Sequence, residues 1–178
     1  MKIRRLLTSA AGSLALAAGL LGAGTGTASA ETHQWTSVLQ PILVDPYGNE
    51  PRPNLCLGVL NGSTDNGAPV IIWECNGNYD QKWSYFTRED GSHMLKNYKS
   101  GKCLDIPEYN FNAGTRLVQW DCNGGTNQTW YFSSDTYFKN PASGMVLDDP
   151  GGSRTWGTQA IIWPQNGGNN QYWQTYRF

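Results

Sequence analysis

The 178-residue chain sets 13 Lys and Arg against 14 Asp and Glu, a formal net charge of −1, and holds 8 Trp, 9 Tyr and 5 Phe. The charges are scattered, which excludes the basic stripe a nucleic-acid partner needs. Only 2 His, no Cys-x-x-Cys and no Gly-rich phosphate loop argue against a metal site or any cofactor.

In chain order, residues 1–30 read as an export signal. Lys2, Arg4 and Arg5 precede a small, apolar run that closes on Ala28-Ser29-Ala30, a cleavage pattern. No later stretch is apolar enough to span a bilayer, so a secreted chain without membrane insertion is expected. Residues 31–37 read as a loose leader and 38–178 as one domain large enough for its own core. A strand is predicted over 42–45, then a surface loop over 46–53. Further strands are predicted over 70–74, 94–97, 116–121, 137–140 and 159–163. Turn clusters such as Asn61-Gly62, Asp90-Gly91 and Asn166-Gly167-Gly168 separate them.

The domain is one unit written three times. Gln81-Lys82-Trp83, Gln128-Thr129-Trp130 and Gln171-Tyr172-Trp173 recur at a period long enough for about four short strands. Ten residues before each of these tryptophans stands another: Trp73, Trp120 and Trp163. Fifteen residues before those stand Gly58, Asp105 and Asp148. Repeats of about 38–86, 87–133 and 134–178 follow. Such units cannot bury a face alone. Closing them about a threefold axis gives a small barrel with a hairpin cap, with Trp83, Trp130 and Trp173 in its core. Cys56, Cys75, Cys103 and Cys122 permit three pairings. Repeat symmetry selects Cys56–Cys75 and Cys103–Cys122. The third repeat has Val146 and Gln165 in their place.

The three Gln-x-Trp copies, Cys103-Leu104-Asp105 and the cysteine spacing resemble the ricin-B-type lectins. The resemblance covers about 42–178 and extends to sugar-binding modules of bacterial polysaccharide-degrading enzymes. It implies an all-β fold, the β-trefoil, and shallow carbohydrate sites, up to one per repeat. The implied site residues are Asp105, Trp120, Asn127 and Gln128 in the second repeat, and Asp148, Trp163, Asn170 and Gln171 in the third. The chemistry fits: a flat ring covers the C–H face of a sugar, a carboxylate accepts from neighbouring hydroxyls, and an amide both donates and accepts. The first repeat keeps Trp73 but has Gly58 for the acid and Asp80 for the amide, so its site is expected to be dead or much weakened. Ile71, Val118 and Ile161 stand where many relatives carry a polar residue, and Gln119 should face the other side of its strand.

The function expected is a secreted, monomeric, non-catalytic protein that binds a glycan or polysaccharide of galactose or xylan type. Two readings compete. A trefoil can serve as a protease inhibitor, with 46–53 as the exposed loop, or as a toxin's delivery subunit. An enzyme would need two carboxylates across a bond or a nucleophile with its base. The close acid pairs, Glu89-Asp90 and Asp148-Asp149, read as turns.

Overall fold

The computed structural model describes residues 30–41 and 54–177. The predicted 42–45 strand and 46–53 loop, and the export signal before Ala30, lie outside the described residues. Among those described there is no α-helix. The strands are β1 (Glu31–Pro41), β2 (Leu55–Val59), β3 (Val70–Glu74), β4 (Lys82–Arg88), β5 (His93–Asn97), β6 (Cys103–Asp105), β7 (Val118–Trp120), β8 (Tyr131–Phe132), β9 (Phe138–Lys139), β10 (Val146–Asp148), β11 (Thr158–Gln159), β12 (Ile161–Trp163) and β13 (Trp173–Arg177).

Six strands close a barrel. Antiparallel ladders join β13 to β1, β1 to β4, β4 to β5 and β8 to β9. Two shorter links complete the ring: Trp130 N–H donates to His93 O (2.9 Å) and Trp173 N–H to Thr136 O (2.7 Å). Closure leaves the barrel strands no long unpaired edge. The hairpins β2–β3, β6–β7 and β10–β12 form the cap and interlock in a cycle. Val70 N–H donates to Leu117 O (3.1 Å), Leu117 N–H to Ala160 O (2.8 Å), and Ala160 N–H to Val70 O (2.9 Å). This is the capped threefold barrel that the repeat predicts, and the β-trefoil that the family resemblance implies.

The stretch 31–37 is not a loose leader. It is the first half of β1, with Ser37 paired to both Trp83 and Arg177 at the seam of the barrel. Trp35 stacks on Tyr85 at 5.1 Å, which anchors the strand from its inner face. Period-2 patterning hides this strand, because Ser37 points inward between Trp35 and Leu39 where an apolar side chain is expected.

Trp83, Trp130 and Trp173 are fully buried, one per repeat. Burying one such indole contributes about 4–6 kcal/mol as an upper bound. Each indole N–H also finds an acceptor: Leu57 O (3.0 Å), Leu104 O (3.0 Å) and Leu147 O (3.1 Å). Those carbonyls belong to the residue just before Gly58, Asp105 and Asp148. The core tryptophan thus fixes the strand that presents the candidate acid. Both disulfides, Cys56–Cys75 and Cys103–Cys122, form as the symmetry predicts.

Candidate carbohydrate site

Each hairpin of the cap presents one face to solvent. In the second repeat Asp105 pairs with Val118 and Cys103 with Trp120, so all four share a face, while Leu104 and Gln119 share the opposite one. Gln119 is buried and binds Ser63 O (2.9 Å), Asp65 O (3.1 Å) and Ser100 Oγ (2.7 Å). It ties loops together and takes no part in the site, as its register predicts. The third repeat repeats the register, with Asp148 opposite Ile161 and Val146 opposite Trp163. Trp120 and Trp163 are 44% and 41% exposed, against 0% for the core tryptophans. A ring this open on a fixed strand is available to a ligand.

Beyond each hairpin a single 3-10 turn carries the amides. Gln128 is fully buried and every polar atom on it is used: Nε2 donates to Asp105 Oδ2 (2.6 Å) and Asp121 O (3.0 Å), and Oε1 accepts from Asn123 N–H (2.9 Å). Gln171 repeats the pattern with Asp148 Oδ2 (2.7 Å), Pro164 O (3.0 Å) and Asn166 N–H (2.9 Å). Both glutamines stand behind the acid and aim it; neither offers a free group to a ligand. Asn127 also donates to Asp105 Oδ2 (2.9 Å), and Asn170 to Asp149 O (3.0 Å). Oδ2 of Asp105 is therefore held by two amides and Oδ2 of Asp148 by one. Among the described residues none donates to Oδ1 of either acid, and Oδ1 is not among the sealed atoms, so it is the acceptor these residues leave for a ligand. Burial pushes both carboxyls above the ordinary Asp range, against the pull of Gln128 and Asn127 on one and of Gln171 and Asn170 on the other.

Two sets of glycines complete the cups. Gly125 and Gly168 lie directly under the Oδ1 of Asn127 and Asn170, where a Cβ would collide. The amides can fold back onto the acid because nothing projects there. Gly67, Gly114 and Gly157 hold φ of +79°, +87° and +86°, and each backs the exposed ring of a neighbouring repeat. A Cβ on them would lie 3.5 Å from Trp120, 3.6 Å from Trp163 and 3.7 Å from Trp73. Each cup thus takes one wall from the adjoining repeat. The signal for these glycines is their constant place, six residues before Trp73, Trp120 and Trp163.

The first repeat brings together Trp73, 37% exposed, Asp80 and Gln81, without an acid at Gly58. Gln81 keeps its bonds to Glu74 O (2.7 Å) and Asn76 N–H (2.9 Å). Among the described residues no group of His, Cys, Asp and Glu is arranged to hold a metal ion.

The profile of the ricin-type beta-trefoil lectin domain matches residues 48–173. Over 92 residues the chain is 30% identical to beta-galactoside-specific lectin 2 of Viscum album, a match covering 47% of this chain and 16% of that lectin. Among solved structures it is similar to ThreeFoil, a designed 3-fold symmetric protein, with a TM-score of 0.70, 28% identity, and coverage of 80% of this chain and 99% of that one. It is also similar to an exo-beta-1,3-galactanase from Clostridium thermocellum, with a TM-score of 0.69, 28% identity, and coverage of 83% of this chain and 30% of that one. The chain spans under a third of the galactanase and less of the Viscum lectin. With the profile matched over most of its length, the chain belongs to the ricin-type β-trefoil lectin family.

Proposed function

We propose that this protein is a secreted, non-catalytic lectin that binds galactose-type or xylan-type glycans through the cups of its second and third repeats. The observation that carries the reading is the same arrangement met twice: an open indole beside a carboxylate with one oxygen locked by a buried glutamine amide and the other accepting nothing from the described residues. Trp120 and Trp163 cover the C–H face of a sugar ring. Asp105 and Asp148 accept from its hydroxyls, the stronger, charge-assisted kind of bond. Gln128 and Gln171 keep the acids from turning; buried Asn127 adds a second bond to Asp105, while Asn170 holds the Asp149 carbonyl beside Asp148. The Viscum relative is named for β-galactosides and the similar enzyme for galactan, which favours a galactose-type ligand. Two disulfides suit an oxidising, extracellular setting.

A shallow cup of this kind binds weakly; a dissociation constant of ~1 mM corresponds to only about −4 kcal/mol. Two cups on one rigid body raise the apparent affinity for a repeating polysaccharide. The test is retention on galactoside beads and on insoluble xylan, using the parent, Asp105→Ala and Trp120→Ala, with near-ultraviolet circular dichroism as the check on folding. Each substitution should cut retention several-fold on the polymer that the parent prefers. Retention equal to the parent in both variants contradicts the assignment of the second-repeat cup.

A further inference from the structure

The first repeat lost its acid at Gly58, which predicts a silent cup, yet a cavity of about 470 Å³ opens there. Its border includes Gly58, Asn61, Trp73, Tyr79, Asp80 and Lys99. Three further changes occur at equivalent positions. Asn78 replaces the glycine of the other cups, so a fold-back of residue 80 would meet a Cβ. Residue 80 is a carboxylate where the other cups carry an amide, and Asn97 Nδ2 donates to its backbone carbonyl (2.7 Å). Asp80 instead faces Gly62, where a Cβ would lie 3.3 Å from its Oδ1. Lys99 reaches the same spot, with Nζ donating to Gly62 O at 2.5 Å.

The third change comes from the neighbouring repeat. Trp156, just before the wall glycine Gly157, leans on Trp73 with ring centroids 5.6 Å apart and planes 41° apart. Asn66 and Ala113 hold that position beside the other two cups. Both indoles are exposed, and Tyr79 and Tyr98, in edge contact at 5.5 Å, extend the aromatic rim. The cup therefore has an acceptor on its turn in place of one on its strand, a cationic donor close by, and two exposed indoles in contact, Trp73 and Trp156. The carboxylate and the ammonium cancel in charge, which suits an uncharged ligand. Two adjoining facets suit two successive rings.

We propose that the first-repeat cup is a working site of different selectivity, taking an uncharged oligosaccharide of at least two sugar residues. One ring fills the cavity against Trp73, with its hydroxyls on Asp80 and Lys99, and the next lies over Trp156. This rests on the carbohydrate reading of the other cups, and the test separates the two. Calorimetry is run on the parent and on Trp120→Ala/Trp163→Ala, with xylotetraose, a galactose trisaccharide, xylose and galactose as probes. The double variant removes only exposed rings, so the core is untouched. It should still bind one of the oligosaccharides and neither monosaccharide. Adding Asp80→Asn or Trp156→Ala should weaken that binding tenfold or more. A double variant blind to an oligosaccharide that the parent binds overturns the first-cup proposal and leaves the other cups standing. So does binding in which Asp80→Asn and Trp156→Ala change nothing. A parent that binds none of the four probes sinks both.

Discussion

Asp149 is fully buried at a position where the other repeats place Val59 and Ile106, and among the described residues neither of its carboxylate oxygens has a hydrogen-bond partner. The Ser153 backbone lies on the side that favours the charged form, but it does not reach bonding geometry. Burial, with the neighbouring Asp148 adding repulsion, pushes the carboxyl from 3.8 to about 7. Between those values the folded protein keeps a proton that the unfolded chain has released. Stability therefore falls as pH rises through this window and is flat above it. The full change corresponds to about 4 kcal/mol, a large fraction of a domain's stability. Replacing Asp149 with Asn removes the titration and leaves a group of the same shape. Urea unfolding of parent and Asp149→Asn, followed by tryptophan fluorescence at pH 4.5 and pH 8, isolates the term. Most other groups titrate alike in both proteins, including His93, whose pKa burial lowers and whose effect runs the opposite way. The variant should gain on the parent by several kcal/mol at the higher pH relative to the lower. A gap between the two proteins that does not change with pH refutes the reasoning.

Gln128→Ala should cost about 2–3 kcal/mol in urea unfolding, because Asp121 O and Asn123 N–H both lose a partner and Asp105 loses its closer donor. Gly114→Ala should destabilise by about 1–2 kcal/mol through its positive φ, and should weaken sugar binding at Trp163 more than at Trp120. Replacing Cys103 and Cys122 with Ala should lower stability by about 2–4 kcal/mol, read from the shift in denaturation midpoint. Sugar binding at the second and third cups should fade on acidification at a higher pH than an ordinary Asp would dictate, since protonation removes the acceptor and burial raises both carboxyls.

The repeat made most of the architecture legible. Constant spacing singled out two tryptophans in each unit; closure of the units placed one in the core, the family resemblance implied a site role for the other, and equivalence alone paired the cysteines. The orientation of Gln119 followed from strand alternation. What stayed hidden had particular causes. β1 is masked by inward-facing Ser37, which breaks the apolar alternation and lets 31–37 read as a leader. The service of Gln128 and Gln171 behind the acids depends on a turn conformation that spacing does not encode. The wall glycines act across repeat boundaries, and a reading made one repeat at a time cannot see them. Asp149 looked like half of a turn pair, because a buried carboxylate without partners is the arrangement a sequence argument has least reason to expect.

The account stands or falls on which rings a sugar touches. Titration of the protein with galactose and with xylo-oligosaccharides, followed through the indole N–H resonances in ¹H–¹⁵N spectra, reads this directly. The account predicts that Trp120 and Trp163 shift in proportion to occupancy while Trp83, Trp130 and Trp173 stay in place. Saturable shifts confined to Trp35 or to the core indoles, with Trp120 and Trp163 unmoved, would contradict it.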